Sequence, residues 1–219
     1  MRIKICGMSE QRVIDEAAAL GVDMCGFVFH APSPRCVTAR QAACLDTHGM
    51  KRVGVFVTQS VEEIRDIVKE AGLDYVQLHG RQSASFARHF PPETVIRVLW
   101  PADCASRREL EEAIAAFADS CGLYLLDAGM GSGRTLDWKA LEGLSFPHPW
   151  FLSGGLSPEN AAQALDACSP DGLDFNSRLE TAPGRKSVSR VREAVEAVRG
   201  CFPQKNISAE ADRKKGEMI

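Results

Sequence analysis

Short runs of Val, Ile, Leu and Phe recur eight times along the 219 residues, and that repetition limits the possible folds more than any single motif. They fall at 3–6, 24–29, 52–57, 75–78, 95–99, 123–126, 150–152 and 173–175. None alternates cleanly between apolar and polar residues, as a strand with one wet face would, so each reads as a strand covered on both faces. Between them lie segments with helical spacing, for example 10–20, 61–71, 107–120, 158–167 and 188–199. An alternation of strand and helix carried to the end of the chain indicates an α/β protein with a parallel sheet.

Eight such units can close into a (β/α)8 barrel or spread into an open doubly wound sheet. The glycines favour the barrel. A dinucleotide-binding sheet would place G-x-G-x-x-G after its first strand, whereas here that strand ends in Cys6-Gly7 and the glycine-rich turns follow strands six and seven. Late phosphate loops are a barrel habit. The expected fold is therefore a single (β/α)8 barrel over residues 1–200, with a parallel eight-stranded core. Residues 201–219 are polar and lack apolar periodicity, so a flexible tail is expected there.

Composition excludes several classes. With 45% hydrophobic and 25% charged residues and a formal net charge of -3, the chain suits an ordinary soluble globular protein better than a nucleic-acid binder, which needs clustered basic residues. Arg107-Arg108 and Arg213-Lys214-Lys215 read as solvated surface. No run approaches the roughly 20 apolar residues that cross a bilayer. The opening MRIKICG enters a strand pattern directly, so a cytoplasmic location is expected. The eight cysteines show no C-x-x-C pair or zinc-like spacing, and Cys25, Cys44 and Cys168 read as small buried hydrophobes.

In such a barrel, chemistry gathers at the carboxyl ends of the strands. Cys6 ends strand one, where a thiol with an ordinary pKa of about 8.5 needs only modest help from a positive charge to act as a base. A buried structural cysteine fits the same position. Asp127 ends strand six behind two leucines, where burial can make a carboxyl group a general acid; a loop cap bonded to amides of 128–133 is the alternative. Gly129 and Gly131 belong to a glycine-rich segment suited to close ligand approach. Gly154 and Gly155 precede Ser157-Pro158, which reads as an N-cap followed by the first helical residue, a setting that suits a phosphate. Arg35, in a loop with Pro32 and Pro34, offers a guanidinium for a carboxylate. Gln77 and His79 alternate with Leu78 and should share the inward face, where His79 reads as a hydrogen-bonded core histidine ahead of a catalytic base.

Taken in order, these segments resemble the phosphoribosylanthranilate isomerase family from residue 4 to about 199. The resemblance lies in Lys4-Ile5-Cys6-Gly7, Gly26-Phe27-Val28-Phe29 with Ser33-Pro34-Arg35, Val53-Gly54-Val55-Phe56-Val57 and Val76-Gln77-Leu78-His79-Gly80. It continues in Leu125-Leu126-Asp127 with Gly131-Ser132-Gly133 and Leu136-Asp137-Trp138, then Ser153-Gly154-Gly155-Leu156 with Pro158-Glu159-Asn160, and Asp174 with Pro183-Gly184 and Lys186.

The resemblance implies an Amadori rearrangement of N-(5-phosphoribosyl)anthranilate in tryptophan biosynthesis, with Cys6 as general base and Asp127 as general acid, and with no metal or redox cofactor because two proton transfers are enough. Arg35 would hold the anthranilate carboxylate. Backbone around Gly154, Gly155 and the eighth loop would hold the phosphate, and Gln77, His79, Gly129, Gly131, Asp174, Asn176 and Ser177 would complete the substrate contacts. The partner is then a small phosphosugar, with neither nucleic acid nor membrane, and the protein is a monomer or homodimer. Another phosphosugar barrel of the histidine or tryptophan pathway, or a non-catalytic phospholigand-binding barrel, are the competing readings. One departure is plain: after strand eight the family usually has Ser-Ser-Gly-Val-Glu, and this chain has Asn176-Ser177-Arg178-Leu179-Glu180. Arginine lacks glycine's freedom, so Arg178 is expected either to swing out and add charge or to remodel the loop. Leu136 for a usual Phe and Met130 for a frequent glycine are milder changes.

Overall fold

The computed structural model describes residues 1–129 and 136–201. Its eight parallel strands close into a barrel in sequence order: β1 Arg2–Ile5, β2 Met24–Val28, β3 Lys51–Phe56, β4 Tyr75–Leu78, β5 Val95–Leu99, β6 Leu123–Leu126, β7 Trp150–Leu152 and β8 Gly172–Phe175. All eight expected strands form. Those of β2, β5, β6, β7 and β8 are buried at every residue, which is why their sequences carry no polar face.

Alternate side chains divide the core in two. Met24, Val53, Ile96, Val98, Leu123, Leu125 and Phe151 form one cluster, the filled interior of the barrel. Residues one step along, such as Ile5, Phe27, Leu78, Tyr124 and Phe175, pack outward into the larger cluster beneath the helices. Cys6, Val28 and Val55 form a small third cluster above the inner one, next to the mouth.

The helices are α1 Gln11–Ala19, α2 Ala39–Ala43, α3 Val61–Ala71, α4 Ala84–Ala87, α5 Arg107–Ala115, α6 Ala161–Cys168 and α7 Val188–Cys201. Helix α3 shows why the sequence fixes its ends. Ser60 and Glu63 form a reciprocal capping box, and Gly72 closes the helix in the left-handed region at φ 60°. Such a cap contributes about 1 kcal/mol. Arg52 ties the shell together by donating to the carbonyls of Ala42, Leu45 and Ala71, at the ends of α2 and α3.

Three expectations need correction. Helix α5 stops at Ala115, and 116–120 continue as turns rather than helix. Regular helix α6 begins at Ala161, not at Pro158: Asn160 accepts from the Ser157 amide and donates to the Gly155 carbonyl, which holds 158–160 as a separate turn. Cys44 is exposed and Cys168 only half-buried, because each lies at the end of a short helix, past its packed face. Arg107 and Arg108 are exposed and pair with Glu111 and Glu112 along α5, as solvated surface should. Between β6 and β7 the described chain forms a 3-10 turn, Trp138–Leu141. After β8 comes another, Ser177–Leu179, then an antiparallel hairpin of β9 Glu180–Ala182 and β10 Arg185–Lys186. Among the described residues no helix is long and apolar enough to cross a membrane. The tail is expected from 201, but Cys201 closes α7, and residues 202–219 lie outside the described residues.

Candidate functional site

Four strands of the barrel, β1, β4, β6 and β7, hand their next residue to the mouth while that residue's amide still joins the ladder. The Cys6 amide donates to Phe175 at 2.8 Å, the His79 amide to Phe56 at 2.8 Å, the Asp127 amide to Leu99 at 3.0 Å and the Ser153 amide to Leu126 at 2.7 Å. These four side chains are thereby fixed by sheet geometry rather than by loops. They line one cavity of about 390 Å³, within the usual range for a small-molecule site.

The same cavity collects Arg35, Gln77, Gly129, Gly154, Gly155, Asp174, Asn176 and Ser177, so every expected site residue that is described reaches it. Gly131, with Met130 and the rest of 130–135, lies outside the described residues. His30, Ser153 and Val55 also face the cavity and were not anticipated.

Cys6 is 5% exposed, and burial pushes its thiol pKa up. Two ammonium groups oppose that rise, Lys4 first and then Lys186, while Asp174 adds to it. Gly26 on β2 makes room for the sulfur: a Cβ there would stand 2.9 Å from Sγ. Across the cavity, burial likewise raises the pKa of Asp127, which favours its protonated form. Its Oδ1 accepts from the Gly129 amide at 3.4 Å, so the loop-capping role exists, but Oδ2 faces His79 Nε2 at 3.5 Å.

His79 is a neutral ring, its pKa lowered to about 4 by burial and by the positive charges of Lys4 and Arg97. The Gln77 side-chain amide lies 3.3 Å from Nδ1. With that amide donating, the ring hydrogen sits on Nε2 and points at Asp127. The two residues therefore share the inward face, as their spacing indicated.

The eighth loop accommodates Arg178 without backbone strain. Positive φ among the described non-glycine residues is confined to His48 and Ser169, so Arg178 does not need the freedom of glycine. Its 3-10 turn buries Leu179 and leaves Arg178 exposed, while Asn176 and Ser177 stay on the cavity. Gly154 and Gly155, at φ 91° and 64°, do need it, and a Cβ on Gly154 would meet the Ala128 backbone nitrogen at 2.5 Å. Here the β6 and β7 loops touch, which keeps the glycine turn against the cavity.

Arg35 is already engaged. Its Nε and Nη2 donate to the two Glu180 oxygens at 2.7 Å each, a bidentate pair that leaves Nη1 outside the fork. Glu180 also accepts from Lys186 Nζ at 2.6 Å, and Lys186 donates to Asn176 Oδ1 at 2.8 Å. Burial would raise the Glu180 pKa, but Arg35 and Lys186 hold it below the ordinary value. A second network lies deeper: Lys4, fully buried, donates to Asp174 Oδ2 at 2.7 Å. Among the described residues no group of three or more His, Cys, Asp or Glu is arranged to hold a metal ion.

The family model of N-(5'-phosphoribosyl)anthranilate isomerase matches residues 3–197. The chain belongs to the N-(5'-phosphoribosyl)anthranilate isomerase family. It is 52% identical over 198 residues to N-(5'-phosphoribosyl)anthranilate isomerase of Desulfovibrio desulfuricans, a match covering 89% of this chain and 94% of that protein. The crystal structure of phosphoribosyl anthranilate isomerase from Thermotoga maritima superposes with a TM-score of 0.82 at 30% identity, over 91% of this chain and 99% of that one. A phosphoribosyl anthranilate isomerase solved in complex with reduced 1-(O-carboxyphenylamino)-1-deoxyribulose 5-phosphate superposes with a TM-score of 0.75 at 28% identity, over 91% and 99% of the two chains. The protein is thus a barrel isomerase of tryptophan biosynthesis, and the other phosphosugar barrels and the non-catalytic reading are set aside.

Within this isomerase family member, sequence reasoning missed the roles of Lys4 and Glu180 in holding other side chains. A signal existed for the first: Lys4 alternates with Ile3 and Ile5 and so shares the inward face with Cys6. Glu180 follows the altered loop, and its pairing with Arg35 spans 145 residues.

Proposed function

We propose that Cys6 and Asp127 perform the two proton transfers of the rearrangement, on a substrate held at its phosphate by the seventh and eighth loops and at its carboxylate by Arg35. The observation supporting this is a single cavity lined by a thiol from strand one and a carboxyl group from strand six, with the Gly154-Gly155 turn, Asn176 and Ser177 beside them.

The chemistry begins with a proton from the Asp127 carboxyl group to the ring oxygen of the aminoaldose. The bond from C1 to that oxygen breaks as the nitrogen lone pair forms a C1=N bond, giving a protonated Schiff base. The Cys6 thiolate then takes the proton from C2; the C–H electron pair becomes the C1=C2 bond and the nitrogen recovers its pair. The resulting enolamine tautomerises to the aminoketose, 1-(2-carboxyphenylamino)-1-deoxyribulose 5-phosphate. Each transfer from a positioned group contributes about 10²- to 10⁴-fold, and fixing the substrate at both ends holds the sugar between acid and base.

Arg35 suits the carboxylate because Glu180 fixes its plane and leaves Nη1 outside the pair. Phosphate binding rests on the backbone at Gly154, Gly155 and Ser177, with Lys186 supplying positive charge behind Asn176. Every role falls to residues of one chain, so activity is expected whether the protein is a monomer or a homodimer. The ligand is a phosphosugar, and the site needs neither nucleic acid nor membrane. We read residues 1–200 as the catalytic domain, with 201–219 outside it. A cytoplasmic location suits its eight free thiols.

The test is turnover by the unmodified chain. Loss of anthranilate-type fluorescence from phosphoribosylanthranilate should accelerate with added protein; a rate equal to the uncatalysed one rejects the assignment.

A further inference from the structure

At the floor of the cavity Asp174, one of its lining residues, pairs with Lys4, and the acid–base scheme gives neither a proton to transfer. Lys4 and Asp174 are partners in the β1–β8 register, and their side chains meet inside the barrel with both almost wholly out of water. A buried ion pair is seldom retained for stability, since well-packed apolar residues of similar volume do as well or better. Its value must lie in what it does for a neighbour.

That neighbour is Cys6. Two residues along the same strand, it stands on the inward face that Lys4 also occupies, and the Lys4 ammonium is held on that face by Asp174 at 2.7 Å. The elements around the sulfur bring few other charges. From β2 come Gly26 and Val28 and from β3 Val55, none of them titratable. From β8 comes Asp174 itself, and from β10 comes Lys186, already bonded to Glu180 and Asn176. Arg35, over the neighbouring Gly7, is paired with Glu180. Lys4 is thus the cation aimed at the sulfur, and Asp174 is the anchor that aims it.

We propose that Lys4 is a positioning residue for the base: held by Asp174 on the strand face it shares with Cys6, its ammonium supplies the positive charge against which the thiolate forms. The proposal rests on Cys6 being the base. Burial alone drives the thiol toward its neutral form, and Lys4 is the largest opposing influence. Asp174 partly cancels it, so the pair sets the thiol between two extremes instead of ionising it outright. One Asp174 oxygen, Oδ1, is buried with no hydrogen-bond partner among the described residues, so the anchor is held from one side only.

The test reads the thiol directly. Alkylation of Cys6 by iodoacetamide, followed on its own peptide by mass spectrometry, gives the pH midpoint of its ionisation in the full-length protein. In Lys4→Met that midpoint is expected to rise by about one pH unit or more, a shift of the size that loss of a close opposite charge produces. Lys4→Arg, which keeps the charge, should stay closer to the parent than Lys4→Met. Turnover should follow: kcat in Lys4→Met is expected to fall about tenfold or more at neutral pH with KM little changed, since the loss is of base and not of binding. Because Lys4→Met leaves Asp174 buried alone, the double variant Lys4→Met with Asp174→Asn removes the pair together, and its midpoint should rise as well. An unchanged midpoint in either folded variant overturns the proposal. Failure of the parent reading looks different: Cys6→Ser would turn over at the parental rate whatever the alkylation midpoint does.

Discussion

His79 Nε2 stands 3.5 Å from Asp127 Oδ2, and the histidine side chain is only 19% exposed. Its pKa is lowered to about 4, so the folded protein holds a neutral ring that the unfolded chain would protonate near 6.5. A depressed folded value means that the stabilisation is complete above 6.5 and is lost as pH falls toward 4. The loss amounts to about 3 kcal/mol at most, from a shift of roughly two and a half units. Denaturant unfolding of the parent and of His79→Gln at several pH values between 7 and 4 should show the parent losing more stability. Parallel curves would mean that His79 is not held neutral.

The sulfur of Cys6 depends on a missing side chain. A methyl group at position 26 would sit 2.9 Å from Sγ and 3.0 Å from the Cys6 Cα, closer than real contacts allow. Gly26→Ala is therefore expected to displace the thiol, costing about 1–3 kcal/mol through overpacking, and to lower kcat more than the loss of stability accounts for. A folded Gly26→Ala protein with parental kcat would show that the placement of the sulfur is unimportant.

Glu180 holds both Arg35 and Lys186, so its neutralisation should be felt in binding. In Glu180→Gln the bidentate fork is lost and two partly or wholly buried cations lose their counter-ion. KM for phosphoribosylanthranilate should rise about tenfold, equivalent to about 1.4 kcal/mol, with a smaller change in kcat. Removing one partner of such a network also costs stability. A drop in kcat alone, with KM unchanged, would place Glu180 in the chemistry and not in substrate binding.

The proposed acid–base scheme needs Cys6 deprotonated and Asp127 protonated, and burial raises the pKa of both. The raised carboxyl favours the working state, whereas the raised thiol opposes it. Activity should therefore rise with pH as the thiol ionises and fall as the carboxyl group loses its proton, giving a bell-shaped profile of kcat/KM. The two limbs belong to the pair and cannot be divided between the residues by the profile itself. A profile flat from pH 5 to 10 would contradict this pairing.

The barrel was legible because its strands are buried on both faces and punctuated by polar helical segments, so 123–126 or 150–152 could be read from apolar runs alone. The places of Cys6 and Asp127 at the mouth were legible because each follows such a run directly. Helix starts were less so: Ser157-Pro158 carries the usual signature, yet Asn160 clamps the turn and delays the regular helix to Ala161. The pair of Lys4 with Asp174 joins residues 170 apart, and only closure of β1 on β8 brings them together. Likewise the grip of Glu180 on Arg35 depends on a hairpin after a loop that departs from the family pattern, where local sequence says nothing of the partner.

Turnover by Cys6→Ala and by Asp127→Asn, each checked for an intact fold, tests the acid–base assignment most directly. Each variant is expected to lose on the order of 10²-fold or more in kcat, while still binding the reduced product analogue. Near-parental turnover by either folded variant would contradict the account.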